Sequence, residues 1–253
     1  MEEIYALELI EKGGRIDKRD FLEYRKIEIE KDIVKKAEGS ARVKLGETEV
    51  IAGVKLGFGE PFPDTPNEGM LVVNAEFSPL ASPEFEPGPP GEDAIELARV
   101  VDRGIRESNC IELEKLCIEE GKKVWSVFVD ILILNHQGNL LDASALASLV
   151  ALLNTKIPKV EDEKILRGEF EKPLPVVFKP ITITVGKVKG KLLLDPVYEE
   201  EKVLDCKLSV CIRDDEKICA LQKQGSGVLE FEEVEKIINI AKEKSKEIRK
   251  LVE

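Results

Sequence analysis

The stretch KVWSVFVDILILN, residues 123–135, and the stretch LLDASALASLVALLNTK, residues 140–156, decide the fold class. The first is apolar along nearly its whole length, which predicts a strand without a solvated face. The second carries small and aliphatic residues on nearly every side at helical spacing, which predicts a helix buried within the fold. A buried strand followed by a buried helix indicates an α/β (α+β) core, with mixed sheets packed against helices.

Apolar runs and alternating patterns on either side of this core predict further elements. Strands are predicted in RKIEIEKDIV (25–34), the hairpin ARVKLGETEVIAGVKLG (41–57), GMLVVNAEF (69–77), VVF (176–178), ITITV (181–185), KLLLD (191–195) and VLDCKLSVCI (203–212). GMLVVNAEF is expected to be a central strand, because its apolar run is nearly continuous. Helices are predicted over residues 2–12, 92–108 and 232–253, the last with an apolar stripe of Val234, Ile237, Ile238, Ala241, Ile248 and Leu251.

Two segments are predicted to be exposed, and no compositional break divides the chain cleanly. Residues 78–91 are rich in proline, which lacks a backbone donor, so they are expected to form a surface loop. The polar stretch 158–175 is also expected to be exposed. A plan of strands followed by helix occurs twice, which favours one domain over residues 1–253 with two similar halves and a core of about residues 13–250. Two subdomains meeting near residue 158 are the alternative.

The chain has 253 residues, with 50 acidic against 38 basic side chains and a net charge of −12. No run reaches the roughly 20 apolar residues of a membrane span, and the first residues are acidic where a signal peptide would be basic. We therefore expect no membrane association and a cytoplasmic location. The acidic balance argues against a free-standing nucleic-acid binder, so any RNA contact should be local.

Cysteine and histidine usage excludes several kinds of site. The five cysteines are odd in number and show no CxxC spacing, so neither a disulfide framework nor a zinc ribbon is indicated, and they are expected to be reduced core residues. The one histidine, His136, lies in the run NHQGN and is interpreted as a turn residue. A metal site built on several histidines is excluded.

The helix predicted over 92–108 carries the strongest functional signal. Arg99, Arg103 and Arg106 fall on one face, opposite the apolar residues Ala94, Leu97, Ala98, Val101 and Ile105. The chain contains only ten arginines among its 38 basic residues, and arginine is favoured where phosphate or carboxylate is bound in a planar, bidentate way. Phosphate recognition is one interpretation of this arginine face. The other is ion pairing with Glu96, Asp102, Glu107 or a partner protein.

A carboxylate cluster, DPVYEEEKVLD, covers residues 195–205. Asp195, Glu199 and Asp205 could in principle hold a divalent cation. A solvated turn before a strand explains the cluster equally well, and we expect no metal and no cofactor.

Four separated blocks together resemble the RNase PH family, in particular its non-catalytic member in the ring of the archaeal exosome. They are GRIDKRDFLEYRKIEI (14–29), the segment 72–108 that contains SPLASPEFEPGPPG, FVDILILNHQGNLLDASALASLVALLN (128–154) and DPVYEEEKVLD (195–205). The resemblance extends from about Gly13 to the last helix. It implies an RNase PH-like fold.

The resemblance also implies a function and partners. A catalytic RNase PH-like paralogue would pair with this chain, three pairs would form a hexameric ring, and RNA-binding cap proteins would sit on one face. Single-stranded RNA would be shortened from its 3′ end by attack of phosphate. Arg99 and Arg103 match the positions that contact RNA in the non-catalytic member, whereas Arg106 is included on helical spacing alone.

The family comparison further predicts that this chain has no catalytic residues. Active members look to have a Gly-Thr/Ser-Arg turn where this chain has Leu140, Leu141 and Asp142. Asp142 is expected to cap the helix and so to occupy the end where phosphate would bind. Alignment on Asp205 also places Glu199 where active members have an aspartate. The rivals are an active phosphate-dependent 3′-to-5′ exoribonuclease and a small-molecule enzyme on a related fold.

Overall fold

The computed structural model describes residues 2–162 and 164–252, in which helices pack against two principal sheets and a small hairpin. The helices are α1 (Glu2–Glu11), α2 (Glu92–Glu107), α3 (Leu140–Leu153), α4 (Tyr198–Glu201) and α5 (Phe231–Arg249). The strands are β1 (Ile27–Lys31), β2 (Gly39–Leu45), β3 (Thr48–Gly59), β4 (Met70–Phe77), β5 (Cys117–Glu119), β6 (Lys123–Asn135), β7 (Lys156–Glu161), β8 (Lys164–Pro173), β9 (Ile181–Val188), β10 (Lys191–Leu194), β11 (Cys206–Ile212) and β12 (Ile218–Gln224). No helix in these described residues is long and apolar enough to cross a lipid bilayer.

The first sheet is built around β6, as its apolar sequence predicts. Its strand order is β1-β2-β3-β6-β4, and β5 pairs with one end of β6. β6 is antiparallel to β3 and parallel to β4, so both of its edges are hydrogen bonded. The predicted hairpin is formed by β2 and β3, with Gly46 and Glu47 between the paired residues Leu45 and Thr48.

The prediction that GMLVVNAEF is a central strand is wrong, because β4 lies at the edge of the first sheet. Leu71 and Ala75 are buried, and α2 packs against this strand. Val72 and Asn74 point the other way and are more exposed. The apolar run of β4 therefore reflects its contact with a helix rather than strands on both sides.

Helix α3 is buried on nearly every side, as predicted, because it contacts β2 and β3 of the first sheet and β9 of the second. Its C-terminal end lies directly on β2. A Cβ atom at Gly39 would come within 2.5 Å of the Ala151 carbonyl oxygen and closer still to the Thr155 hydroxyl, so only glycine allows this approach.

The second sheet is antiparallel, with strand order β10-β9-β11-β12, and α5 packs on β9 and β11. The predicted stripe on α5 is buried at Ile237, Ala241 and Ile248. Leu251 is wrongly included in that stripe. The helix ends at Arg249, and after it Val252 is buried while Leu251 is exposed.

The sequence patterns do not predict four of the strands, β5, β7, β8 and β12, and one predicted strand is absent. Residues 158–175 are largely exposed, as expected, but most of them belong to the antiparallel hairpin of β7 and β8. β12 has only four apolar residues, 218–221, before the polar residues 222–224. VVF forms only an isolated bridge, between Val176 and Ile111.

One large hydrophobic cluster contains buried residues from both principal sheets and from α2, α3 and α5. The cluster includes residues from both sides of residue 158, the position at which two subdomains would meet in the alternative organisation. The single domain over residues 1–253 stays a prediction, and this shared core supports it.

Shortening a buried side chain of the central strand β6 should cost far more stability than shortening an exposed side chain of its neighbour β5. Ile131 on β6 is 2% exposed and Ile118 on β5 is 46% exposed. Ile131→Ala should lower the free energy of unfolding by about 2–5 kcal/mol, because it leaves a cavity in the core. Ile118→Ala should cost less than about 1 kcal/mol. Denaturant unfolding of the two variants gives the comparison, and equal losses would contradict a core centred on β6.

Candidate nucleic-acid interface

Helix α2 presents one buried face and one charged face, as its sequence predicts. All five apolar residues named for the inner face are buried, and Gly104 joins them. That inner face packs against β4, α3 and β12. The helix begins directly after the proline-rich loop, with Glu92 and Asp93 in its first turn. Acidic residues there suit the positive end of the helix dipole.

The three arginines of the outer face are exposed but not equivalent. Within residues 2–162 and 164–252, Arg99 and Arg103 make no hydrogen bond and no ion pair. Arg106 instead donates two hydrogen bonds to the Asp102 carboxylate, from Nε at 3.0 Å and from Nη2 at 2.8 Å, and this contact raises the pKa of Arg106. Arg106 also donates to the Leu71 carbonyl oxygen at 2.9 Å. The ion-pairing interpretation therefore applies to Arg106, while the guanidinium groups of Arg99 and Arg103 are free to bind an anion.

The start of α3 is held by Asn139, the residue that precedes the helix. Asn139 is 1% exposed and adopts a left-handed conformation, with φ of 52°. Its side-chain amide donates to Asp142 at 2.9 Å and to Asp195 at 2.8 Å. Both carboxylates are thus drawn to the first turn of the helix, where a phosphate group would otherwise find backbone donors.

Asp142 does not cap its own helix, and that expectation is wrong. It is the third residue of α3 and 5% exposed, and its carboxylate accepts hydrogen bonds from the Thr184 amide (2.9 Å), the Thr184 hydroxyl (2.7 Å) and the Tyr24 hydroxyl. These contacts tie α3 to β9. Burial raises the pKa of Asp142 to about 6, although the hydrogen bonds from Tyr24, Asn139 and Thr184 oppose that change.

Asp195 is fully buried and bound by two arginines. Arg25 donates to both carboxylate oxygens, from Nε at 2.9 Å and Nη2 at 2.8 Å, and Arg19 donates to one of them at 3.1 Å. Burial alone would raise the pKa of Asp195, but the hydrogen bonds and positive charge of Arg25 hold it below its usual value. With the Asn139 amide also bound, neither oxygen is left open for a cation.

The other two members of the carboxylate cluster serve elsewhere. Glu199 accepts the Gln137 side-chain amide, at 3.0 and 3.2 Å, and Asp205 accepts the backbone amide of Lys189 at 2.9 Å. Among the residues the structure describes, no group of three or more His, Cys, Asp and Glu side chains is arranged to hold a metal ion. The cluster is therefore structural at Asp195 and only partly solvated elsewhere.

The turn before α3 is covered by the segment that leads into α4. Gly138 has φ of 88°, and a Cβ atom there would lie 2.5 Å from the Pro196 carbonyl oxygen and 2.6 Å from the Tyr198 amide. His136 belongs to this turn, as predicted. Its ring stacks on Phe85 at 5.5 Å and meets the edge of Tyr198 at 5.0 Å, and burial lowers its pKa. The turn before α3 is thereby covered by protein, whereas Leu140 and Leu141 line a cleft of about 250 Å³ beside it.

Sequence reasoning missed the residues that build this enclosed network. Arg15, Arg19 and Arg25 are three of only ten arginines and fall within eleven residues of one another. Arg15 is buried and makes a bidentate ion pair with Glu200, at 3.0 and 2.6 Å. That local concentration of arginine was the signal available. The buried carboxylates that these arginines bind, Asp195 and Glu200, lie 170–185 residues further along the chain, so the local pattern does not identify them.

The buried carboxylate predicts an unusual pH dependence. Because the pKa of Asp142 is raised to about 6 in the folded chain, against about 4 when unfolded, its contribution to stability is largest below pH 4 and is lost as pH rises through 6. Relative to Asp142→Asn, the wild type should lose about 3 kcal/mol of unfolding free energy across this interval. Denaturant titrations from pH 4 to pH 7 measure this difference. Asp64→Asn, at an exposed site, should keep the wild-type slope, and parallel curves for wild type and Asp142→Asn would refute the prediction.

Comparison with known proteins agrees with the resemblance seen in the sequence. Exosome complex component Rrp42 of Methanopyrus kandleri is 50% identical over 250 residues, covering 98% of this chain and 94% of that protein. Exosome complex component Rrp42 of Pyrococcus horikoshii is 51% identical over 253 residues, covering 98% and 92%. A chain from the Archaeoglobus fulgidus exosome with RNA bound to the active site superimposes with a TM-score of 0.94 at 47% identity, covering 100% of this chain and 98% of that one.

Two family models match in succession. Residues 23–158 match domain 1 of the 3′ exoribonuclease family, RNase PH, and residues 180–244 match its domain 2. The first match spans the first sheet with α2 and α3, and the second spans the second sheet with α4 and most of α5. The chain therefore belongs to the RNase PH family of 3′ exoribonucleases.

Proposed function

We propose that this chain is a non-catalytic subunit of an archaeal exosome ring. It pairs with a catalytic RNase PH-like paralogue, three such pairs close into a hexamer, and RNA-binding cap proteins occupy one face. The ring works in the cytoplasm, where it degrades single-stranded RNA from the 3′ end by phosphorolysis. This chain helps to bind the RNA and to structure the neighbouring active site. The near full-length similarity to archaeal Rrp42 proteins supports this assignment.

The observation that carries the non-catalytic role is the set of side chains at the start of α3. A phosphorolytic site needs donors or cations around the attacking phosphate, and helix starts commonly supply them. Here Leu140 and Leu141 bring no charge, Asp142 brings a carboxylate, and the segment 196–198 packs over the turn. A phosphate anion would meet a buried acidic group in this place, which disfavours its binding.

The nearby arginines do not replace the missing cation. Arg19 and Arg25 are the basic residues of this network that approach the start of α3, and both bind the carboxylate of Asp195. Arg25 also donates to the carbonyl oxygens of Gln137 and Gly138, at 2.7 and 3.2 Å. Their donors are directed at protein acceptors, and taking one away would leave a buried carboxylate unpaired.

Arg99 and Arg103 are the residues we assign to RNA. Both are exposed on a helix whose opposite face is fixed in the core, and neither is committed to a protein acceptor in the described part of the chain. Two free guanidinium groups one helical turn apart suit adjacent backbone phosphates. Arg106 lies on the same face, and binding RNA through it requires competition with Asp102. We therefore expect Arg106 to contribute less.

The purified chain should not degrade RNA by itself. A labelled single-stranded RNA, inorganic phosphate and magnesium should yield no nucleoside diphosphates with this chain alone, and yield them once the catalytic paralogue is added. The paralogue assayed alone is the control that shows which of the two chains carries the activity. Diphosphate release by a preparation shown to be free of the paralogue would establish the alternative, an active phosphate-dependent 3′-to-5′ exoribonuclease.

Reversing the two free arginine charges should weaken RNA handling without preventing assembly. In the reconstituted complex, Arg99→Glu with Arg103→Glu should slow degradation and reduce the slope of log affinity against log salt by at least about 1.4, the share of two phosphate contacts on a single strand. Size-exclusion chromatography should still show the assembled ring. Filter binding at several salt concentrations supplies the slope.

A matched control separates this effect from net charge. Lys236 and Lys250 are exposed near α5 and its end, and Lys236→Glu with Lys250→Glu changes the charge by the same amount. That variant should keep the wild-type salt slope and degradation rate. If the arginine variant fails to assemble, the arginine face is a protein interface, and if both variants lose RNA equally, the effect is one of overall charge.

A further inference from the structure

Strands β11 and β12 bring two cysteines side by side at an irregularity of the second sheet. Cys211 pairs with Ala220, and the next residue, Ile212, pairs with Ile218. Cys219 is thus an extra residue in β12, a β-bulge opposite the end of β11. Bulges redirect side chains, and this one sets Cys219 beside Ala220, the residue that pairs with Cys211.

The two thiols have different surroundings. Cys211 is 4% exposed and lies under α2, with its Sγ 3.9 Å from the Gly104 carbonyl oxygen. Cys219 is only partly buried, and its Sγ lies 3.5 Å from the Lys217 carbonyl oxygen. An oxidant in solution therefore reaches Cys219 first, and Cys211 is available behind it.

The pKa shifts of the two thiols also favour oxidation of Cys219 before Cys211. The hydrogen bond from the Cys211 thiol, helped by the positive charge of Arg213, lowers the pKa of Cys219, while burial and Asp215 oppose this. The pKa of Cys211 is raised by its contact with Cys219 and by burial. Cys219 therefore loses its proton more readily than Cys211, and the thiolate is the reactive form of a cysteine.

We propose that Cys219 and Cys211 form a peroxide-sensitive thiol pair that closes into an intrachain disulfide. The partly exposed, thiolate-stabilised cysteine beside a second thiol is the arrangement of a sulfur that is oxidised and then resolved. The oxidant is hydrogen peroxide or an organic hydroperoxide. The pair lies on the inner side of α2, whereas Arg99 and Arg103 lie on the outer side, so its chemistry does not depend on the RNA assignment.

The reaction balances in two steps. The Cys219 thiolate attacks one peroxide oxygen, an S–O bond forms and the O–O bond breaks, and the second oxygen leaves as hydroxide or alkoxide, which takes up a proton. The sulfur of Cys211 then attacks the sulfenic sulfur of Cys219. The S–S bond forms, the S–O bond breaks, and water leaves with the proton of Cys211. Two thiols are oxidised and one peroxide is reduced.

The remaining cysteines supply controls within the same chain. Cys117 is also a free, partly buried cysteine, and among the described residues it contacts no other thiol. Cys110 is fully buried near Cys211, and burial raises its pKa to about 12, so it should stay a thiol. A general effect of exposure would modify Cys117 and Cys219 alike, whereas a resolving partner affects Cys219 alone.

Peptide mapping of the full-length chain after graded hydrogen peroxide tests the pair. A linked peptide joining Cys211 to Cys219 should appear, with a loss of about 2 Da that dithiothreitol reverses, before Cys117 is oxidised. Cys117→Ser should leave this product unchanged. Cys219→Ser should abolish it, and Cys211→Ala should convert Cys219 to the sulfinic acid, because no thiol resolves the sulfenic acid.

Three results would overturn the proposal, and the first two come from the wild type alone, whatever the variants do to folding. They are oxidation of Cys219 without any linkage, oxidation of Cys117 as fast as Cys219, and a disulfide between Cys211 and another cysteine in Cys219→Ser at the same peroxide dose. Circular dichroism of each variant shows that the comparison is made on folded protein. None of these readouts uses RNA or the partner subunit.

Discussion

A single buried anion, the carboxylate of Asp195, fixes how the two halves of the chain meet. It follows β10 of the second sheet, yet its oxygens are bound by Arg19 and Arg25 from the N-terminal segment and by Asn139 at the start of α3. A carboxylate removed from water is costly unless it is paired and hydrogen bonded, and here every partner comes from the other half of the chain. Separation of the halves would take all of these partners away from the charge.

This arrangement is also the basis for proposing that no chemistry takes place at the start of α3. Phosphate binding at a helix start needs accessible amide groups and positive charge that is not already neutralised. In this chain the arginines neutralise Asp195, the Asn139 amide joins Asp195 to Asp142, and Asp142 joins α3 to Thr184 of the second sheet. These polar groups around the start of α3 bind one another and so hold the two halves of the chain together. The same contacts that hold the fold together therefore disfavour an anionic ligand at this place, as proposed above.

The sequence predicts those features that depend on one local pattern. The burial of β6 and α3, the two faces of α2 and the turn containing His136 all follow from the order of apolar and polar residues over a few turns or one strand. The edge position of β4 does not, because a strand covered by a helix and a strand flanked by strands share the same apolar run. The β7–β8 hairpin lacks such a run, and the run in β12 is only four residues long. The role of Asp142 depends on Thr184 and Tyr24, which are distant in the chain, so no local pattern contains it.

The net charge of −12 and an RNA-binding role are compatible because the relevant field is local. Exposed charges more than about 8–10 Å apart are largely screened at physiological salt, so distant carboxylates do little to a phosphate held against α2. What matters is that Arg99 and Arg103 stay free while α2 stays fixed. Its inner face is in the core, and Arg106 joins its outer face to Asp102 and to the Leu71 carbonyl oxygen of β4. Arg106 therefore supports the helix that presents the other two arginines, and a rigid helix reduces the entropy lost when they bind.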